Sequence, residues 1–252
     1  MVDFMNWPLS RLAICRFSVV LALLMPAFPG ASAQTNAFQR EWTKFQEGDK
    51  SHPPPSGAIL AIGSSSLRLW STLQRDLAPL PMVNRAFGGS KTRDTVEAVP
   101  HLVIPYRPRV ILYYCGDNDL SKPEVDPAVA VHGFKAFVAA VRQELPQVRI
   151  VYLSIKPSPS RILSWPNARK ANAEIRDWSA RQWGITFVDV GSPLLGADGE
   201  PDPKFFGKDR LHLSALGYEE WAKKVKPVLR RVWREANARS IGLGKGRNGP
   251  FR

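Results

Sequence analysis

From residue 58 onward, short apolar runs alternate with longer segments whose apolar residues recur at helical spacing. A run that is apolar throughout, rather than at every second position, is typical of a strand covered on both faces. Such alternation predicts a parallel sheet with helices on both sides, an α/β fold of three α/β/α layers. The predicted strands are Ala58–Ile62, Met82–Asn84, Val110–Cys115, Arg149–Ile155 and Ile185–Val190. The helical patterns are Leu67–Leu77, Thr95–Pro105, Asp126–Leu145, Pro166–Trp183 and Ala215–Ala236.

The first 33 residues have a different pattern. Two arginines precede an apolar run at Phe17–Phe28, and an Ala-Ser-Ala sequence ends at Ala33. This arrangement predicts a cleaved signal peptide over residues 1–33 and a periplasmic or secreted protein. The apolar run has 12 residues, whereas a membrane span needs about 20. An uncleaved membrane anchor is therefore the weaker alternative, and no stable membrane insertion is expected after cleavage.

Three further segments complete the predicted organisation. Residues 34–57 combine a short helix at Ala37–Gly48 with a proline-rich connector. Residues 58–238 form the predicted catalytic or binding domain. Residues 239–252 are rich in glycine and arginine and are predicted to form a basic, flexible tail.

Composition and charge limit the possible functions. The 252 residues are 44% hydrophobic, which suffices for one sizeable core, and the two cysteines, Cys15 and Cys115, exclude a disulfide scaffold. With Cys15 in the predicted leader, Cys115 is expected to be a buried, inert thiol. The net charge is +13, or 33 − 21 = +12 after removal of the leader. Attraction to anionic surfaces follows, so a catalytically idle glycan-binding module is an alternative. Nucleic-acid binding is not expected, because the chain is predicted to be exported and few aromatic residues lie among its C-terminal basic residues.

Two polar clusters follow the first two predicted strands. Ser64–Ser66 come after Gly63, where a strand-to-helix turn projects a hydroxyl above the sheet edge and free amides favour negative charge. Simple N-capping by Ser64 is the alternative. Gly88 and Gly89 end the second cluster, Asn84–Ser90, and allow a backbone amide to approach a ligand. An ordinary tight turn would also explain them.

The other two clusters add a donor and a proton acceptor. Asn118, within Gly116–Asp119, can donate amide hydrogens to a developing oxyanion. A cation site at these aspartates is disfavoured because no further carboxylates cluster directly beside them, so no metal is predicted. Asp209 lies three residues before His212 on a turn, close enough to orient the imidazole. Ser214 is predicted to cap the last helix.

The four clusters together resemble the motifs of SGNH (GDSL-type) hydrolases. The matching elements are Gly63-x-Ser65, Asn84…Gly89, Gly116-x-Asn118 and Asp209-x-x-His212, over about Ala58 to Trp221. The stretch Ser154–Pro159 is similar to an exported bacterial branch of that family. The resemblance implies a flavodoxin-like sandwich with about five parallel strands. It departs from the family pattern at Ser64, where an acidic residue is usual, and at Ala86, where glycine is common.

The resemblance also implies residue roles. Ser65 would be the nucleophile, with Ser66 as a lesser candidate, His212 the base and Asp209 its orienting partner. The amides of Ser65 and Gly89 and the side chain of Asn118 would form the oxyanion hole. The chemistry would need neither a metal nor an organic cofactor.

Substrate predictions are broader. The resemblance implies a compact domain with its site open at the sheet edge, which, together with export, favours a short-chain acyl ester, an O-acetyl ester above all, on a small molecule or an acylated sugar. Trp165 is a candidate for stacking on a sugar ring and equally a candidate core residue. A lysophospholipase or thioesterase is the alternative within the same family.

Overall fold

The computed structural model of the protein describes the backbone of residues 32–245 and the side chains of residues 38–238. Nearly all of the predicted signal peptide lies outside these residues; its last two positions begin the first helix. None of the helices in the described part of the chain is both long and apolar enough to span a bilayer.

Five parallel strands form one sheet, in the order β2-β1-β3-β4-β5. They are β1 (Ile59–Gly63), β2 (Met82–Asn84), β3 (Val110–Tyr114), β4 (Arg149–Leu153) and β5 (Ile185–Val188). All five coincide with the predicted strands to within two residues. The predicted fold class is therefore confirmed.

Seven α-helices accompany the sheet in the described residues. They are α1 (Ser32–Ser51), α2 (Ser65–Arg68), α3 (Leu73–Asp76), α4 (Thr92–Glu97), α5 (Ala128–Glu144), α6 (Trp165–Ala180) and α7 (Ala215–Lys245). Short 3₁₀ segments lie at Ile104–Tyr106, Pro159–Ser164, Ser192–Leu194 and Pro203–Phe205, and a π-helical turn lies at Val99–Val103.

Every residue of β1 and β3 is buried, because helices cover both faces of the sheet. Alternate residues of β1 consequently enter two different cores. Leu60 and Ile62 join a cluster with residues of α1, α4, α5 and α6. Ile59 and Ala61 join a second cluster with residues of α2, α3 and α7. Burial on both faces explains the absence of polar alternation in these strands.

The α1 helix is tied to the sheet domain by aromatic packing. Phe38 and Trp42 contact Phe87 edge-on, with ring centroids 5.1 and 5.6 Å apart. Trp42 also stacks on His101 at 5.3 Å, which gives that histidine a structural role. The helix therefore packs against the turn that leads into Gly88 and Gly89.

The chain order places β1 beside both β2 and β3, so the direction of strand addition reverses at this point. Open α/β sheets bind ligands beyond the carboxyl ends of their strands at such a reversal. Gly63, the last residue of β1, pairs with Tyr114, the last residue of β3. The serine and asparagine clusters that follow these strands are therefore neighbours.

Two predicted helices are interrupted. Leu67–Leu77 is divided between α2 and α3, because the side chains of Trp70 and Thr72 both donate to Asp76 Oδ2, at 2.8 and 2.5 Å, and stabilise a turn. In place of the predicted helix Thr95–Pro105, α4 begins earlier, at Thr92, and is followed by the π-helical turn. This turn contains Pro100, which has no amide hydrogen to donate to an α-helical hydrogen bond.

The C-terminal helix is longer than predicted. It continues from Ala215 to Lys245, so residues 239–245 of the expected tail are helical rather than irregular. Good helix formers around Ala236–Arg239 allow the hydrogen-bonding pattern to continue past the predicted end. Residues 246–252 lie outside the described part of the chain. At the other end of the chain, α1 is also longer than the predicted helix Ala37–Gly48.

Candidate active site

Ser65 is the first residue of α2, directly after the turn that ends β1. Gly63 has φ +139°, and a Cβ there would lie 1.8 Å from the carbonyl oxygen of Tyr114. Only glycine allows this approach between neighbouring strand ends. The sharp exit carries Ser65 to the rim of the sheet, where its side chain is half-buried. Ser64 occupies the N-cap position, but its side chain makes no capping hydrogen bond.

His212 and Asp209 lie in a closed loop before α7. The Gly207 amide donates to the His212 carbonyl at 2.8 Å, and Ser214 Oγ accepts from the Gly217 amide at 3.3 Å. Ser214 is therefore the N-cap that the sequence predicted. Between the two site residues, Arg210 adopts the left-handed region with φ +57°. This tight backbone turn brings the Asp209 carboxylate within hydrogen-bonding distance of the His212 imidazole.

A continuous hydrogen-bonded chain links the three side chains. His212 Nε2 is 2.9 Å from Ser65 Oγ, and His212 Nδ1 is 2.6 Å from Asp209 Oδ2. Asp209 Oδ1 accepts from the amides of Leu211 and His212, both at 3.0 Å. The structure thus brings together all three residues that the sequence analysis placed in one proton shuttle.

The same contacts set the ionisation of Asp209. The hydrogen bond from the Leu211 amide, followed by those from the His212 side chain and amide, lowers the pKa of Asp209 to about 2. The carboxylate is therefore ionised at neutral pH. An ionised carboxylate at Nδ1 holds the proton on that nitrogen and leaves Nε2 as the acceptor that faces the serine.

Ser66 has a different environment from Ser65. Its side chain is buried, with 1% of the residue exposed, and its backbone carbonyl accepts a hydrogen bond from the Tyr218 hydroxyl at 2.9 Å. The imidazole of His212 contacts Ser65. Among the three consecutive serines, the geometry therefore favours Ser65 as the reactive hydroxyl.

Two backbone amides, one after β1 and one after β2, have no acceptor within the described residues. Ser65 begins a helix, so its amide has no acceptor within that helix. Within residues 32–245, no acceptor bonds to the amide of Gly89, which has φ +79° and an exposed backbone. The second cluster is held in place by Asn84, whose side chain donates to the Leu67 carbonyl at 2.8 Å and accepts from the Ala86 amide at 3.0 Å.

Asn118 is fixed at both ends of its side-chain amide. Its Nδ2 donates to the Ser90 carbonyl at 2.9 Å, and its Oδ1 accepts from Arg161 Nη2 at 3.0 Å. An amide nitrogen has two hydrogens, so the second hydrogen remains for a ligand. The half-buried side chain follows β3, beside the turn that carries Ser65.

Arg161 and Lys156 were not among the predicted site residues. Both follow β4 and contact the buried carboxylate of Asp117. Lys156 Nζ lies 3.0 Å from Asp117 Oδ2, and Arg161 Nη1 pairs with Asp117 Oδ1 and donates to its carbonyl at 2.6 Å. Parallel strands all end at one edge of the sheet, so residues that follow β3 and β4 lie close together. The sequence signal for this ion pairing was therefore the presence of basic residues after β4 and of a carboxylate after β3.

These two cations determine the ionisation of Asp117. Burial alone raises the pKa of this carboxyl, but the charges of Lys156 and Arg161 and their hydrogen bonds bring it below its ordinary value. The neighbouring Asp119 accepts hydrogen bonds from the amide and hydroxyl of Thr92, and burial raises its pKa. Both aspartates are thus engaged with protein groups. The described residues contain no cluster of three or more metal-ligating side chains.

Trp165 and Cys115 lie outside the hydrogen-bonded chain. Trp165 begins α6, is half-buried and packs against the core cluster that contains Phe134 and Tyr152. This placement corresponds to the core alternative for Trp165; its predicted contact with a sugar remains a prediction. Cys115 is a buried, free thiol, as expected, and burial raises its pKa well above the ordinary value.

The arrangement combines a hydroxyl, a base, a charged orienting group and several N–H donors at one rim of the sheet. Transfer of the serine proton to His212 Nε2 would generate an attacking oxygen, and the resulting imidazolium would be stabilised by Asp209. The amides of Ser65 and Gly89 and the side chain of Asn118 can donate to negative charge that develops on a carbonyl oxygen. Such a site can carry out acyl transfer.

Comparison with known proteins agrees with this geometry. Residues 59–220 match the GDSL-like Lipase/Acylhydrolase family. Platelet-activating factor acetylhydrolase IB subunit alpha1 from Rattus norvegicus is 26% identical over 194 residues, which cover 73% of this chain and 80% of the relative.

Solved structures show the same fold. A protein from Streptococcus pneumonia named for platelet activating factor superposes with a TM-score of 0.67 and 23% identity, covering 78% of this chain and 96% of that one. A carbohydrate esterase family 3 protein from Talaromyces cellulolyticus superposes with a TM-score of 0.58 and 14% identity, covering 72% of this chain and 99% of that one.

Proposed function

Because the chain belongs to the GDSL-like lipase/acylhydrolase family, we propose that it is a serine esterase that hydrolyses short-chain acyl esters. The observation that carries this proposal is the chain of hydrogen bonds from Ser65 through His212 to Asp209, at 2.9 and 2.6 Å. In this proposal Ser65 is the nucleophile, His212 the general base and Asp209 the residue that orients it.

The proposed reaction has two acyl transfers. His212 Nε2 accepts the Ser65 proton while Oγ bonds to the ester carbonyl carbon, and the carbonyl oxygen becomes an oxyanion. The amides of Ser65 and Gly89 and the Asn118 side chain stabilise that charge. When the tetrahedral intermediate collapses, the alcohol leaves with the proton from His212. Water, activated by the same imidazole, then releases the carboxylic acid and regenerates Ser65.

The preference for short acyl groups is supported by the exposure of the site. The side chains of Asp209 and His212 are 52% and 27% exposed, so the reacting groups lie at an open rim. A long acyl chain gains binding energy only where apolar surface removes it from water, whereas an acetyl group needs little cover. The rat relative is itself named an acetylhydrolase, which agrees with this preference.

For the alcohol part of the substrate, we propose an acylated sugar. Support comes from the predicted export of the chain and from the fold shared with a carbohydrate esterase. We also propose that residues 1–33 are removed during export to the periplasm or medium, as in an exported bacterial branch of the family. Mass spectrometry of exported protein would then find an N-terminus at Gln34, and an N-terminus at Met1 would contradict cleavage.

The central experiment uses a fluorophosphonate probe and p-nitrophenyl esters of increasing chain length. The wild type is expected to be labelled and to hydrolyse acetate faster than octanoate or longer esters. Ser65→Ala should lose both properties, whereas Ser66→Ala, the matched neighbouring control, should keep labelling. An unlabelled wild type would favour the idle binding module instead. Preference for long chains would favour a lysophospholipase, and a comparison of acetylated xylan with acetyl thioesters tests the alcohol part.

A further inference from the structure

A largely buried ion-pair network of Asp117, Lys156 and Arg161 contacts the side chain of Asn118. Arg161 Nη2 donates to Asn118 Oδ1 at 3.0 Å, and the second terminal nitrogen, Nη1, donates to the Asp117 carbonyl at 2.6 Å. We propose that Arg161 is a positioning residue that orients the Asn118 amide for oxyanion stabilisation. This inference rests on the proposed esterase function.

The orientation of the Asn118 amide is set by its two hydrogen-bond partners. A guanidinium has donors and no acceptor, so the atom of Asn118 that faces Arg161 must be its oxygen. The Ser90 carbonyl accepts only, so the atom that faces Ser90, at 2.9 Å, must be Nδ2. These two contacts define one rotamer of the amide. They leave the second Nδ2 hydrogen as the donor for the substrate.

Arg161 is itself held in place by an ion pair and hydrogen bonds. Its guanidinium is paired with Asp117 Oδ1. The other carboxylate oxygen, Asp117 Oδ2, accepts from Lys156 Nζ at 3.0 Å and from the Tyr114 hydroxyl at 3.1 Å. The Lys156 side chain is completely buried, and that of Arg161 is 19% exposed. A donor that is itself held on several sides loses little freedom when the transition state forms.

The group formed by Lys156, Arg161 and Asp117 has a net positive charge. Lys156 and Arg161 carry two positive charges, and the single carboxylate of Asp117 neutralises one of them. The remaining positive charge lies against the oxygen of Asn118 and polarises its amide, so that the N–H group becomes a stronger donor. In a partly buried site this charge also favours an oxyanion more than it would in water.

The segment that contains Arg161 also contacts the loop that carries His212. Arg161 belongs to the 3₁₀ segment Pro159–Ser164 and departs from helical geometry there, with φ −126° and ψ 29°. The next residue toward the N-terminus, Ser160, donates its amide to the Arg210 carbonyl at 3.0 Å. Arg210 lies between Asp209 and Leu211, so this segment contacts both the asparagine and the loop that carries His212.

The test is a double-mutant cycle with p-nitrophenyl acetate. Arg161→Met keeps much of the side-chain length but removes the donors, and Lys156 continues to neutralise Asp117, so the fold should be retained. We expect kcat to fall about 10- to 100-fold with KM changed less than about threefold, since the contact acts on the transition state. In an Asn118→Ala background the same replacement should change kcat less than about threefold.

Two further variants complete the design. Arg169→Met removes an exposed arginine from α6 and should leave kcat and KM unchanged. Arg161→Lys should recover part of the loss, because an ammonium keeps the charge but not the planar fork. If Arg161→Met lacks a cooperative unfolding transition, Arg161→Lys takes its place in the cycle, with an expected loss of about three- to tenfold.

The outcomes are distinguishable. Equal losses of kcat in the wild-type and Asn118→Ala backgrounds would overturn the role of Arg161, as would an Arg161→Met protein with full activity. Neither result would contradict the esterase function. A change confined to KM would likewise overturn the role of Arg161. Wild-type activity that is absent, or that survives in Ser65→Ala, would overturn the proposed function and with it this inference.

Discussion

The Nε2 atom of His212 lies 2.9 Å from the hydroxyl oxygen of Ser65, although 147 positions of sequence separate the two residues. The contact forms because β1 and α7 present their connecting loops at the same rim of the sheet. Ser65 follows β1 at the carboxyl edge, and the loop of His212 is closed on itself just before α7. Proton transfer from the serine to the imidazole needs no rearrangement larger than a side-chain adjustment.

Replacement of Asp209 by asparagine tests the orientation of the imidazole. The amide has nearly the shape of the carboxylate but no negative charge to stabilise an imidazolium or hold the Nδ1 proton. We expect kcat to fall by about 10²- to 10⁴-fold with a much smaller change in KM. Steady-state kinetics with p-nitrophenyl acetate measures both constants. An Asp209→Asn enzyme within about threefold of wild-type kcat would refute the assigned role.

Removal of the Asn118 side chain tests the oxyanion donor. Asn118→Ala should lower kcat by about 10²- to 10³-fold, the usual effect of losing one such donor, and should leave KM nearly unchanged. Asn167→Ala is a suitable control, because Asn167 also donates its side-chain amide to backbone carbonyls, those of Pro123 and Val125, away from the serine. If Asn118→Ala raised KM at constant kcat, the residue would bind substrate rather than stabilise charge.

Replacement of Gly63 tests the strand exit that positions Ser65. Gly63→Ala forces a side chain onto φ +139° and against the Tyr114 carbonyl, 1.8 Å from the new Cβ. We expect the free energy of unfolding to decrease by at least about 3 kcal/mol, as measured by urea denaturation. Gly48→Ala provides the matched control. Its Cβ would meet nothing within 4 Å in helix α1, so the change should be within about 1 kcal/mol and stabilising. Similar effects of the two replacements would argue against this strand geometry.

The depressed pKa of Asp209 predicts acid sensitivity. Its value in the folded protein is about 2, against about 3.9 in an unfolded chain. The unfolded state therefore binds more protons between these pH values, so the free energy of unfolding rises with pH across this window. The contribution of Asp209 to stability is fully present above about pH 4 and is lost as the pH falls towards 2. The lowered pKa of Asp117 contributes in the same direction. Urea unfolding of the wild type and Asp209→Asn at pH 2.5 to 6 should show a shallower pH dependence in the variant.

Several features of the fold could be predicted from local sequence because they depend on local physics. The strands are apolar on both faces, so β2 and β3 were located to within one residue. Gly63 at the end of β1, the polar residues after β3 and the cap at Ser214 also follow from turn and capping preferences that act over a few residues. These same residues supplied the candidates for the site.

Other features depended on contacts between distant segments. The break between α2 and α3 is stabilised by hydrogen bonds to Asp76, and a helical pattern does not reveal such competition. The motif spacing already favoured Ser65 over Ser66, but only the tertiary structure shows that the imidazole of His212 contacts Ser65. Arg161 was missed because its partners, Asp117 and Asn118, lie 44 and 43 residues earlier.

The sequence by itself determined which residues could form strands, turns and reactive groups, since those properties reside in each residue and its immediate neighbours. Tertiary structure alone decided which of these groups meet: the serine with its base, and the asparagine with the arginine that holds it. The physical reason is that hydrogen bonds act over about 3 Å, and only the folding of the sheet brings segments so far apart in the chain to that distance.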